Sequence, residues 1–107
     1  MTIIFRQGDV LIERVREQDV GDEIARNSGR IVLAYGEVTG HAHAIYDDGA
    51  TLFRAKEAAN ADVFLRVVRP VALLHEEHTR IALDPGLYRV RRQREWTDEN
   101  EPIQVAD

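Results

Sequence analysis

Nine short runs rich in β-branched and aromatic residues, each fenced by a turn-forming group, leave this 107-residue chain little choice but an all-β fold. The runs are 2–5, 10–15, 30–35, 41–46, 51–55, 62–68, 71–74, 79–83 and 87–93. The fences are Gly8-Asp9, Asn27-Ser28-Gly29, Asp47-Asp48-Gly49, Arg69-Pro70 and Asp84-Pro85-Gly86, whose residues supply chain reversal or positive φ. Asp48-Gly49 between two apolar runs predicts a type I′ hairpin, with Tyr46 opposite Thr51 and His43 opposite Arg54. Segments 17–26 and 56–61 break the pattern and are expected as loops or single helical turns. About nine strands in one flat sheet would leave large apolar faces wet, so the sheet must fold over or close. The expectation is one domain over 1–107, a small β-barrel or a two-sheet sandwich, with a polar tail from about residue 97.

The chain has no cysteine, which removes disulfides, thiolate metal sites and cysteine nucleophiles together. Any metal must be held by nitrogen and oxygen. No apolar run is long enough to cross a bilayer, and Met1 to Phe5 lead directly into Arg6-Gln7-Gly8-Asp9 without the layout of a signal peptide. A cytoplasmic protein without a membrane partner is expected. A formal net charge of −5 argues against a general binder of nucleic-acid backbones, which needs clustered Lys and Arg. Exposed strand edges make a homodimer a natural expectation.

All four histidines fall in two short clusters. His41 and His43 are two apart in a predicted strand, Gly40-His41-Ala42-His43-Ala44, so their imidazoles share a face, and the small alanines leave room for an ion. His75 and His78 flank Glu76-Glu77. If that pair tips a two-residue hairpin, the two rings oppose each other; if the segment stays extended, the odd offset sends them to opposite faces, and only one of them, with Glu76 or Glu77, reaches the site. Imidazole nitrogens with an optional carboxylate suit zinc, iron, nickel or manganese. His41, His43, His75 and His78 are therefore the candidate metal ligands, with Glu76, Glu77, Glu37 and Tyr35 as further ligands or acid–base groups. The sequence names neither catalytic residue nor small-molecule substrate. His75-Glu76-Glu77-His78 is one residue short of the His-Glu-x-x-His spacing of helical zinc proteases.

Gly36-Glu37-Val38-Thr39-Gly40-His41-Ala42-His43, then His75-Glu76-Glu77-His78 and Asp84-Pro85-Gly86-Leu87-Tyr88-Arg89-Val90, resembles the pattern of a family of small uncharacterised bacterial and phage proteins that open with Gln-Gly-Asp-Val, as Gln7 to Val10 do here. The resemblance spans most of the chain and implies no activity. The His-x-His strand is also similar in outline to cupins, metal-holding β-barrels. Cupins place a Glu four or five residues after the second His, where this chain has Asp47 and Asp48, and a His after a Pro-x-Gly turn, where it has Leu87 after Gly86.

A basic, aromatic strip closes the chain's last strand: Arg89, Arg91, Arg92, Arg94 and Trp96. It has two readings. One is an edge strand protected by charge against aggregation. The other is an anion or partner site, which would make the protein a metal-free interaction module for a protein or nucleic acid.

Overall fold

The computed structural model describes residues 2–36, 38 and 40–92, and these carry ten strands and no helix. The strands are β1 (Ile4–Gln7), β2 (Val10–Val15), β3 (Glu23–Ile24), β4 (Ile31–Tyr35), β5 (Ala42–Ile45), β6 (Ala50–Arg54), β7 (Val63–Val67), β8 (Val71–Leu73), β9 (Ile81–Leu83) and β10 (Gly86–Arg92). All nine expected strands are present within a few residues of their expected ends. The addition, β3, lies in segment 17–26, where Glu23 and Ile24 pair with Phe53 and Leu52 of β6. Segment 56–61 is a loop, turned by the Asn60 amide donating to the Glu57 carbonyl.

One antiparallel sheet runs in the order β1-β2-β10-β7-β6-β3, and two hairpins, β4-β5 and β8-β9, form the remaining sheets. Among the described residues nothing closes a barrel, so of the two expected architectures the arrangement is consistent with the two-sheet sandwich. The hairpins are stitched together by reciprocal backbone hydrogen bonds between Ala44 and Leu74, both 2.9 Å. The core gathers Val10 and Ile12 of β2, Ile45 of β5, Leu65 of β7, Leu73 of β8, Leu83 of β9 and Tyr88 of β10, each nearly or wholly shut off from solvent. Burying a residue such as Leu65 contributes about 1.5–3 kcal/mol of transfer free energy, and a lattice of such residues sets which strand faces turn inward. A smaller cluster of Ala55, Phe64 and Leu87, with Val15 and Val20 against it, covers part of the large sheet's outer face.

Two turn expectations are corrected. Asp48-Gly49 does not make a hairpin: β5 pairs with β4, β6 pairs with β7 and β3, and Gly49 is not among the glycines with positive φ. The segment is instead a corner between sheets, held because the Gly49 carbonyl accepts from the Val68 and Arg69 amides while an Asp47 carboxylate oxygen accepts from the Ala72 amide at 3.0 Å. The residues with the positive φ that a type I′ turn demands at both centres are Ser28 (56°) and Gly29 (80°), between bridge partners Asn27 and Arg30. Gly8, at φ 59°, and Asp9 join β1 to β2 as expected.

The edge reading of the basic strip is also corrected. β10 is interior, bonded to β2 on one side and β7 on the other. Its charges are tolerated there because Glu13 on β2 stands opposite Arg89 and accepts from its guanidinium, with Arg91 3.7 Å away.

Candidate metal centre

The four histidines meet at one end of the sandwich, where three connections converge: Gly8-Asp9 between β1 and β2, Gly36, Val38 and His41 between β4 and β5, and the 74–80 loop between β8 and β9. His41 and His43 project into the same cleft, as their spacing demands. His75 and His78 do so as well, although the segment between them is neither a two-residue hairpin nor extended. The β8-β9 ladder ends at Leu73 and Ile81, and the wider loop beyond it folds both rings inward, their centroids 4.7 Å apart.

The Ala44–Leu74 bridge explains the rest. Extending its antiparallel register by one residue sets His43 opposite His75, and their ring centroids are 4.3 Å apart. Two residues along, Ala42 faces Glu76, whose Oε1 accepts from the Ala42 amide at 3.0 Å. Three along, His41 faces Glu77, with Nδ1 to Oε2 at 3.1 Å. His75 stands in the middle, its centroid also 5.6 Å from that of His41. One potential ligand atom from each of His41, His75 and Glu76 already lies within 4.8 Å of the others, a group that could hold a metal ion.

Two glycines allow this crowding. A Cβ on Gly8 would stand 2.9 Å from His78 Nε2 and 3.2 Å from His43 Cε1, and one on Gly36 would stand 3.1 Å from His75 Nε2. Side chains there would push the rings out of the cleft.

His43 is the deepest of the set, 2% exposed, and its proton is placed by Gln7, which is wholly buried. The Gln7 side-chain amide donates to the Leu73 carbonyl at 3.1 Å and the Thr79 carbonyl at 3.0 Å, which fixes its Oε1 toward His43 Nδ1, 2.9 Å away. An acceptor there requires Nδ1 to carry the proton, so Nε2 holds the lone pair. His41, whose Nδ1 faces the Glu77 carboxylate, is set in the same sense. His75 is set in the opposite sense, since its Nδ1 accepts from the Glu77 amide at 3.0 Å.

Burial, and then the neighbouring His75, hold the His43 pKa down at about 4, from an ordinary 6.5. Because the folded value lies below the unfolded one, acid protonates the unfolded chain first, and stability falls as pH drops from 6.5 toward 4. Chelator-treated protein should lose about 2 kcal/mol of unfolding free energy between about pH 7 and about pH 5. Urea titrations across that range measure it, and a flat profile contradicts it. The Glu76 carboxyl is held below its ordinary range, first by the Ala42 amide, so it is anionic near neutrality.

The cleft has a volume of about 350 Å³ and is also lined by residues not picked out from the sequence as site residues: Arg6, Gly8, Asp9, Gly36 and Val38. Asp9 Oδ1 lies 3.8 Å from His43 Nε2, and its Oδ2 accepts from Arg92 Nε at 2.7 Å. Gln7, Gly8 and Asp9 were visible only as a turn and as part of a recurring string. Arg92 thus belongs to the cleft rather than to a separate basic strip, and it also donates to the Tyr35 carbonyl. The Tyr35 hydroxyl is elsewhere, accepting from the Asn27 amide at 2.6 Å. Arg89 and Arg91 are engaged by Glu13. Glu37, Arg94 and Trp96 lie outside the described residues.

No helix among the described residues is long and apolar enough to cross a membrane. No curated protein and no solved structure matches the chain. A family model does, over residues 6–93, a span that holds every residue of the cleft. The chain belongs to the family described as "Domain of unknown function (DUF8820)".

Proposed function

We propose that this domain binds a divalent transition-metal ion in the histidine cleft, centred on His75. The observation that carries the reading is the meeting of all four histidines, from strands and loops far apart in sequence, around one ring. His41, His75 and Glu76 supply the atoms already closest to a shared centre, while His43 and His78 close the inner side. Two features of metal sites support it. Gln7 on His43 and Glu77 on His41 are outer partners of the kind that fix a ligating imidazole's tautomer and leave Nε2 to the ion. The donors are nitrogen and oxygen, which suits zinc, iron, nickel or manganese. An ion taken by His75 Nδ1 displaces the Glu77 amide hydrogen, so uptake should shift the 75–78 loop.

The cleft is open to solvent on one side, and an ion with three protein ligands there would keep a position for water or substrate. A small metalloenzyme follows from that arrangement, and a structural ion follows if all four histidines bind. Elemental analysis of untagged protein is the test. About one equivalent of metal per chain is expected, together with a rise in melting temperature on adding zinc that a chelator reverses. Metal-free protein that also fails to respond to zinc, nickel, manganese or iron would refute the reading.

A further inference from the structure

We infer that the cleft takes a small organic carboxylate as the exogenous ligand of that ion, with Arg6 pairing the carboxylate; this rests on the metal reading above. Arg6 lines the cleft and is half-buried. Its Nε donates to the Gly8 carbonyl at 2.8 Å, which anchors the guanidinium at the β1-β2 turn and leaves its two terminal amino groups for another partner. Among the described residues no carboxylate pairs with it, whereas Arg92, the other arginine of the cleft, is matched to Asp9.

Charge points the same way. Arg6, Arg92 and a divalent ion stand against the carboxylates of Asp9, Glu76 and Glu77, so with neutral imidazoles the loaded cleft is left with one positive charge in excess. The planar fork of a guanidinium matches two oxygens of a carboxylate, and a nearby metal takes one of the same oxygens or a neighbouring group. Val38, 52% exposed, supplies an apolar wall that a carbon skeleton can cover and an inorganic anion cannot. The volume of about 350 Å³ falls at the lower end of small-molecule sites.

Calorimetric titration of the zinc-loaded protein with benzoate, benzamide and inorganic phosphate tests this. Benzoate should bind saturably, phosphate more weakly, and benzamide not at all. Arg6→Gln should weaken benzoate about tenfold or more with zinc stoichiometry unchanged, and Arg6→Lys, which keeps charge without the fork, should fall between. If Arg6→Gln disturbs zinc loading, Arg6→Lys carries the comparison. Benzoate affinity unchanged in both variants, equal binding of benzamide, or phosphate binding more tightly than benzoate would overturn the inference. Protein that loads zinc but ignores benzoate overturns this inference alone. Protein that loads no zinc overturns the metal reading with it.

Discussion

Replacing His75 by alanine should lower zinc affinity at least about a hundredfold while leaving the metal-free fold nearly as stable as before. The ring is the one within 6 Å of each of the other three histidines, so its loss removes the group common to all three pairs. An outer partner typically costs ten- to a hundredfold in affinity, and a direct ligand costs more. The side chain is only half-buried in a loop beyond the last ladder pair of β8 and β9, so its removal opens no sealed cavity. Calorimetric zinc titration together with urea unfolding in chelator separates the two effects. Wild-type affinity in the variant would remove His75 from the centre of the site.

The second large effect falls on Gln7. Gln7→Leu keeps the side chain's approximate volume and deletes one acceptor and two donated hydrogen bonds. The Leu73 carbonyl and the His43 Nδ1 hydrogen then lack their partner in a buried setting, and the Thr79 carbonyl in a part-buried one. Each orphaned group costs about 1–3 kcal/mol, so a loss of about 3 kcal/mol or more in unfolding free energy is expected. Zinc affinity should fall as well, by about ten- to a hundredfold, because His43 is free to take the wrong tautomer. Chemical denaturation and zinc titration of the same variant measure both, and a loss under about 1 kcal/mol would show that water replaces the amide without difficulty.

The contrast between His43 and Gln7 shows what a sequence can reveal. The shared face of His41 and His43 follows from the two-residue period of a strand, a local rule that tertiary structure had no reason to override. The convergence of His75 and His78 is legible only from their clustering in the sequence, since the segment between them is neither a two-residue hairpin nor extended. Gln7 was invisible as a site residue because its meaning lies in partners 66 and 72 positions away. The same holds for the Ala44–Leu74 bridge, which sets His43 against His75 yet leaves no mark in either local sequence.

Strand positions were legible because β-branched and aromatic runs mark them, but pairing was not. Asp48-Gly49 has the composition of a hairpin turn and serves as a corner, because the corner's hydrogen bonds come from Val68, Arg69 and Ala72 on the far side of another turn. The arginines of β10 looked like protection for an edge, and only the position of Glu13 on β2 explains how they sit inside a sheet. In each case local chemistry identified the residue type needed, and a distant partner decided its use.

An anomalous-difference map from crystals grown with zinc tests the central claim most directly. The account predicts one strong peak in the cleft, within bonding distance of His75 and at least two of His41, His43, His78 and Glu76. A map whose zinc peaks lie only at other surfaces of the molecule, with the histidine cleft empty, would contradict it.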